Sequence, residues 1–197
     1  QPQAAKLLAE LFVQRFDPEL KTDRGIEQTR LKKAFDQLLN DTSSLDVERI
    51  LLAFRHVLMA TVRTNYYRLD SGEARPFISF KLDPSKIPDL PKPRLAHEIW
   101  VYSPRFEAVH LRGGKVARGG LRWSDRREDF RTEILGLVKS QMVKNTVIVP
   151  LGAKGGFVCK QQKDGADRQA FLDEGIACYK GFMGGMLDIT DNLVDGQ

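Results

Sequence analysis

Apolar residues recur at helical spacing through the first seventy positions of the chain. The pattern predicts three helices, over residues 4–16, from about 23 to 39, and from about 44 to 69. This part of the sequence contains no motif typical of catalysis. We therefore expect residues 1–70 to form a helical region that packs as a layer or serves as an interaction surface.

From Arg75 onward the apolar residues alternate with polar ones, which indicates strands. We predict strands at 77–82, 98–102, 108–111, 145–149 and 157–159, and helices at 125–144 and 167–193. Strands occur before, between and after the helices, so the fold class is α/β, with a mixed β-sheet flanked by helices. We assign this sheet to a second domain, residues 71–197.

The composition is that of a soluble globular protein, with 42% hydrophobic and 29% charged residues among 197. The sequence has neither a run of ~20 apolar residues that would span a membrane nor a signal peptide. Two cysteines are too few for a disulfide framework, and the three histidines show no metal-ligand spacing. We expect a cytoplasmic protein without a metal site. Its ends, Gln1-Pro2-Gln3 and Asp195-Gly196-Gln197, suggest a piece of a longer protein.

A basic cluster lies between positions 112 and 131. Its members are Arg112, Lys115, Arg118, Arg122, Arg126, Arg127 and Arg131. The cluster leaves open a non-catalytic module that binds nucleic acid or another anionic partner. Against this alternative, four carboxylates between 125 and 133 offset much of the charge, and the net charge of the chain is only +5. We therefore expect no nucleic acid among the partners.

Residues 150–156, Pro-Leu-Gly-Ala-Lys-Gly-Gly, hold a lysine between glycines directly after an apolar run. Glycine allows a ligand to approach the main chain closely, and a desolvated lysine can act as a catalytic amine. The alternative is a glycine-rich hairpin with a solvated Lys154 at its tip. The run lacks the spacing of a phosphate-binding loop, and the chain has no G-x-G-x-x-G dinucleotide fingerprint.

The predicted helix 125–144 ends with two polar residues on or beside its apolar stripe. Gln141 falls near the middle of the inward face, and Lys144 falls beside Leu137. Either Lys144 extends into solvent at the negative end of the helix dipole, or the stripe opens into a polar pocket. In the second case, segments 112–122, 141–144 and 152–156 converge on one cationic cavity, which suits a small substrate with two carboxylates.

At these residues the chain resembles the glutamate dehydrogenases, specifically the large NAD-specific bacterial class. The three matching motifs are Arg-Gly-Gly-Leu-Arg at 118–122, Gln-Met-Val-Lys at 141–144, and Pro-Leu-Gly-Ala-Lys-Gly-Gly at 150–156. They occur in the family's order, and weaker similarity extends the resemblance to about residues 45–197. The resemblance implies the fold of an amino-acid dehydrogenase substrate-binding domain.

The resemblance also implies roles for individual residues. Lys154 aligns with the catalytic lysine, which activates water and stabilises charge at the substrate's α-carbon. Lys144 aligns with the residue that binds the α-carboxylate, and Gln141 lies beside it. Arg118 replaces the family's lysine for the side-chain carboxylate, and because a guanidinium fork differs in geometry, Lys115 is an alternative for this role.

Gly119, Gly120 and Gly152 are implied to line the substrate pocket through their backbone. The implied activity is the NAD-dependent oxidative deamination of L-glutamate to 2-oxoglutarate and ammonia, by a homo-oligomer. In the family, the catalytic aspartate and the Rossmann domain that binds NAD both lie further downstream than these motifs. We therefore expect no Rossmann domain and no cofactor-binding residue in this chain, and no turnover by the chain alone.

Overall fold

The computed structural model describes residues 2–115, 117–144, 151–162, 165 and 167–190. Its first elements are the helices α1 (Pro2–Phe16), α2 (Arg24–Asn40) and α3 (Leu45–Ala60). The Asp23 carboxylate caps α2 by accepting two backbone N–H groups, and the Ser44 hydroxyl caps α3. The three helices pack around Ala4, Phe35 and Leu51. The predicted helical pattern is therefore confirmed for this part of the chain.

Beyond the helical layer, the described residues form short and long strands and two more helices. The strands are β1 (Thr61–Thr64), β2 (Leu69–Asp70), β3 (Glu73–Ala74), β4 (Ile78–Leu82), β5 (His97–Tyr102), β6 (Phe106–Arg112), β7 (Ala117–Arg118), β8 (Leu121–Trp123) and β9 (Leu151–Cys159). The helices are α4 (Phe130–Lys144) and α5 (Arg168–Leu187).

Most of these strands belong to one mixed sheet. In the described residues its order is β1-β4-β5-β6-β9, with β7 and β8 both pairing with the far edge of β9. Strand β6 runs antiparallel to β9, whereas β7 and β8 run parallel to it. Strands β2 and β3 form a separate two-stranded sheet. The predicted α/β class, with a mixed sheet flanked by helices, is confirmed.

The two later helices cover opposite faces of the sheet. Helix α4 packs on the face that carries Val109 and Val158, where Ile134 is fully buried. Helix α5 packs on the other face, where Phe182 meets Phe157. Because side chains alternate along a strand, neighbouring residues of β9 point to different helices.

The third helix is shorter than its pattern predicted. It ends at Ala60 rather than near Leu69, because Thr61 has an extended backbone and starts β1. Thr61, Val62 and Thr64 are β-branched and pack well in a strand. Pairing of β1 with β4 therefore outweighs the continued helical spacing.

The sequence pattern predicts a loop at 152–156, between strands at 145–149 and 157–159. This prediction is wrong, because these residues form the middle of β9. The backbone there pairs with β6 on one edge and with β7 and β8 on the other. Lys154 is therefore not at the tip of a hairpin. The last helix ends at Leu187, with Asp188 as its C-cap, and not near residue 193 as predicted. The predicted strand 145–149 lies outside the described residues.

Helix α4 starts at Phe130, later than the predicted residue 125. The Ser124 hydroxyl accepts the backbone N–H of Arg126 in a turn that precedes the helix, at 3.1 Å. The same hydroxyl donates to Glu133 in the first turn of α4, at 2.6 Å. Ser124 therefore connects the preceding turn to the first turn of α4.

Candidate active site

Strand β9 is the meeting point of the glycine-rich segments. Arg118 pairs in parallel with Gly152, and Leu121 pairs in parallel with Gly155. Between these two pairings, the carbonyl oxygen of Gly120 accepts the N–H of Gly155 at 3.1 Å. The link between β7 and β8 therefore lies directly against the strand that carries the lysine.

The close approach between strand β9 and the link that joins β7 to β8 depends on Gly119. A Cβ atom on Gly119 would lie 1.4 Å from the carbonyl oxygen of Ala153, so no other residue fits without moving the backbone. Gly152 is also close-packed, since a Cβ there would lie 3.1 Å from Cβ of Gln141. These two positions explain why the sequence places glycines on both sides of the contact.

Lys154 points to the same face of the sheet as α4. A Cβ on Gly152 would meet Gln141 and one on Gly156 would meet Ile134, both on α4. Lys154 lies between these glycines and shares their face by the alternation of the strand. Its side chain is half-buried, and Nζ lies 3.8 Å from the position that a Cβ would have on Gly120. Among the described residues, Lys154 forms no ion pair with a carboxylate.

Gln141 joins the end of α4 to strand β7. Its Nε2 donates a hydrogen bond to the carbonyl oxygen of Arg118 at 2.7 Å. Its Oε1 is buried without a hydrogen-bond partner in the described part of the chain, and lies 3.2 Å from the Cβ position of Gly119. An unpartnered buried acceptor is costly, so this oxygen is suited to receive a donor from a ligand.

The other basic residues with a predicted role in substrate binding are exposed. Lys144 is the last residue of α4, one turn after Gln141, and the six residues that follow it lie outside the description. Arg118 contributes its carbonyl oxygen to the contact with Gln141, while its side chain is exposed. Lys115 is also exposed, and its carbonyl oxygen accepts a hydrogen bond from Arg112 at 2.6 Å. The structure therefore brings together Lys154, Gln141 and the glycines, with the other cations at the edge.

Arg122 and Glu133 form a contact that no sequence motif indicated. Arg122 Nε lies 2.6 Å from Glu133 Oε1, and the other carboxylate oxygen accepts the Ser124 hydroxyl. The glutamate side chain is largely buried, and it ties β8 to the first turn of α4. From the sequence, Glu133 was only one of the carboxylates that offset the charge of the basic cluster. Its contact with Arg122 could not be predicted, because a contact between a strand and a helix has no characteristic spacing in the sequence.

His110 lies on β6, next to β9, and its side chain is on the opposite face of the sheet from that of Lys154. It pairs with Gly155 across β6 and β9, whereas Leu111 pairs with Lys154. Burial, with a smaller contribution from the charge of Arg112, lowers the pKa of His110 to about 4. His110 is therefore neutral near pH 7. No spacing in the sequence singles out this histidine.

Several of the clustered arginines are already ion-paired. Arg131 forms a bidentate pair with buried Glu98 at 2.6 and 2.7 Å. Arg126 pairs with Asp129, and Arg122 pairs with Glu133. No group of three or more metal-ligating side chains lies together in the part of the chain that the structure describes. None of the described helices is long and apolar enough to cross a membrane.

The fold and the site define an α/β domain in which a half-buried lysine faces a glycine-rich backbone surface. Residues 34–197 match the family described as bacterial NAD-glutamate dehydrogenase, catalytic domain, and the chain belongs to this family. Similar proteins named NAD-specific glutamate dehydrogenase occur in three bacteria. Identity is 54% in Halomonas elongata, over 100% of this chain, and 52% in Pseudomonas aeruginosa, over 98%. In Mycobacterium tuberculosis it is 59%, over 76% of this chain.

The chain spans only a small part of these relatives. The matches cover 12% of the Halomonas protein, 12% of the Pseudomonas protein and 10% of the Mycobacterium protein. The first helix, α1, and part of α2 precede residue 34, where the family match begins.

Proposed function

We propose that this chain supplies the dicarboxylate pocket and the catalytic lysine of an NAD-dependent glutamate dehydrogenase. The enzyme would deaminate L-glutamate oxidatively to 2-oxoglutarate and ammonia. The observation that carries the proposal is the environment of Lys154, a half-buried residue whose Nζ lies next to Gly120 and whose side chain shares a face of the sheet with Gln141. The relatives' names supply the reaction and the cofactor.

The substrate's carboxylates would be bound by the cations around this pocket. In the proposal Lys144 binds the α-carboxylate, with Gln141 beside it. The side-chain carboxylate is bound by Arg118, or by Lys115 from the same basic segment. Backbone groups of Gly119, Gly120 and Gly152 line the cavity. Charge-assisted hydrogen bonds of this kind are stronger than neutral ones, which suits a doubly negative substrate.

Lys154 would act on the substrate's α-carbon. As a neutral amine it would take a proton from the water that adds to this carbon, and the ammonium so formed would donate a hydrogen bond to the oxygen of the adduct while ammonia leaves. Glycines on both sides bring the substrate close to the amine because no side chain intervenes.

Two observations support the proposal that the described residues do not bind the dinucleotide. The long strands of the sheet are antiparallel to one another, and the chain contains no G-x-G-x-x-G fingerprint. We therefore propose that a domain outside these residues binds NAD, and that the present fold corresponds to the substrate-binding domain of an amino-acid dehydrogenase. A homo-oligomeric state and a cytoplasmic location belong to the same proposal for the whole enzyme.

The alternative of a nucleic-acid or anion-binding module has less support. Arg122, Arg126 and Arg131 are engaged with carboxylates of this chain, so three members of the basic cluster are neutralised locally. A binding surface for phosphates requires cations that remain available.

Amide NMR spectra of the chain during titration with 2-oxoglutarate test the proposal. We expect saturable shifts at Gly119, Gly152 and Lys154, and none at residues of α2. The matched variant pair is Lys154→Met and Lys180→Met, since Lys180 is an exposed lysine on the outer side of α5. Shifts that persist unchanged in Lys154→Met, or that spread over unrelated surfaces, would contradict the proposal.

A further inference from the structure

A cavity of about 670 Å³ lies between the helical layer and the sheet, apart from the lysine site. Helices α1 and α3 form one wall, and strands β1, β4, β5 and β6 form the other. The start of α4 closes one side through Phe130 and Arg131. This volume falls in the range of about 300–1,000 Å³ that is typical of small-molecule sites.

The cavity lies between two layers of secondary structure. Helix α1 contributes Leu8 and Phe12, and the sheet contributes Phe80 and Trp100. Small-molecule sites are concave and lined mostly by apolar and aromatic side chains, with a few polar groups.

Aromatic rings make up much of the wall. Phe80 and Trp100 stack with their centroids 5.8 Å apart, and Phe12 meets Phe80 edge-on at 6.4 Å. Phe130 and Phe54 also line the space. Ring faces carry negative electrostatic potential and attract organic cations.

The charged groups of the lining are predominantly acidic. Arg131 is the only cation among the described lining residues, and its bidentate pair with Glu98 neutralises both groups. Glu107 and Glu128 remain as two further carboxylates. Glu107 accepts only a neutral donor in the described contacts, the Trp100 indole N–H, at 3.0 Å. A ligand carboxylate would be repelled here, whereas an ammonium group would be attracted.

We propose that this cavity binds a small organic ammonium ion with an apolar, preferably aromatic, body. The body packs against Phe12, Phe80 and Trp100, and the ammonium group lies near Glu107 and Glu128. This site is separate from the lysine site in both position and charge, and the proposal does not depend on the dehydrogenase function. It differs from the substrate pocket in preferring cations to dicarboxylates.

Isothermal titration calorimetry with three probes of equal carbon skeleton tests the proposal on the 197-residue chain. The probes are 3-phenylpropylammonium, the neutral 3-phenylpropan-1-ol and the anionic 3-phenylpropanoate. We expect saturable binding of the ammonium ion, binding of the alcohol weakened roughly 5-fold by loss of the cation–π and charge attraction, and no binding of the anion. Equal binding of all three would indicate a general apolar surface, of the kind that another segment of a longer chain covers, and would overturn the proposal.

Charge-neutralising variants then locate the ammonium group. In Glu107→Gln the amide oxygen still accepts the Trp100 N–H, so the fold is retained while the charge is lost. We expect Glu107→Gln and Glu128→Gln each to weaken ammonium binding roughly 3-fold, as for a partly exposed ion pair, and to leave alcohol binding unchanged. Glu73→Gln, at an exposed carboxylate of β3, is the matched control and should change neither. Unchanged ammonium affinity in both cavity variants would show that the carboxylates do not recognise the ligand.

Discussion

Gln141 donates a hydrogen bond from Nε2 to the carbonyl oxygen of Arg118 at 2.7 Å, and this bond connects the end of α4 to strand β7. The connection brings two motifs that are more than twenty positions apart in the sequence to one place. Since the acceptor is a main-chain atom, the contact fixes the backbone of the basic segment and leaves the Arg118 side chain exposed.

Replacing Gln141 by glutamate should disrupt this connection. The carboxylate cannot donate to the Arg118 carbonyl, and it places negative charge where a dicarboxylate is proposed to bind. We expect the free energy of unfolding to fall by about 1–3 kcal/mol and the affinity for 2-oxoglutarate to fall at least roughly 10-fold. Urea denaturation and calorimetry measure the two effects. Gln37→Glu, on an exposed part of α2, should leave both nearly unchanged.

Replacement by alanine should have different consequences at Gly119 and at Gly136. Alanine at 119 would place Cβ 1.4 Å from the Ala153 carbonyl oxygen, whereas at 136, inside α4, nothing lies within 4 Å. We expect Gly119→Ala to abolish 2-oxoglutarate binding by separating β7 from β9. Gly136→Ala should stabilise the fold by up to about 1 kcal/mol. Normal binding by Gly119→Ala would show that this close approach is not needed.

The pair between Glu98 and Arg131 should contribute to stability because Glu98 is only 5% exposed. Glu98→Gln removes the charge that compensates the half-buried guanidinium, and we expect the free energy of unfolding to fall by about 1–3 kcal/mol. The exposed pair between Arg49 and Asp46, at 4.0 Å, is the comparison. Asp46→Asn should cost less than about 0.5 kcal/mol. Equal effects of the two substitutions in urea denaturation would be inconsistent with this account.

His110 should make stability depend on pH. Its pKa is about 4 in the folded chain, below the ordinary value of 6.5, so the unfolded chain binds a proton that the folded chain resists. The contribution is complete above pH 6.5 and is lost as pH falls from 6.5 through 4, by roughly 3 kcal/mol in total. His110→Gln should remove this part of the pH dependence, and His56→Asn should retain it. Denaturation curves collected between pH 4 and 7 measure the difference.

The helices and the sheet class could be predicted because they depend on local patterns. Apolar spacing and the capping residues Asp23 and Ser44 identify α2 and α3 directly. Strand β9 was predicted only at its end, 157–159, because the glycines at 152–156 have low intrinsic preference for strands. Its extended conformation depends on pairing with β6, β7 and β8, which are distant in the sequence.

Part of the candidate site could also be predicted, because it depends on the local pattern of a helix. The helical wheel placed Gln141 on the inward face, and its hydrogen bond to Arg118 confirms that position. The partner itself could not be predicted, because it is a carbonyl oxygen and carries no sequence signal. The contact between Arg122 and Glu133 likewise depends on how α4 crosses β8. The catalytic and binding roles of the site residues remain predictions.

Calorimetric titration of the chain with 2-oxoglutarate tests the central claim, that Lys154 belongs to a dicarboxylate pocket, most directly. We predict measurable one-site binding to the unmodified chain and to Lys180→Met, and a loss of affinity of at least roughly 10-fold in Lys154→Met, since a charge-assisted contact is removed. Circular dichroism of each variant verifies that the fold is intact. Equal affinity of Lys154→Met and Lys180→Met for 2-oxoglutarate would contradict the account.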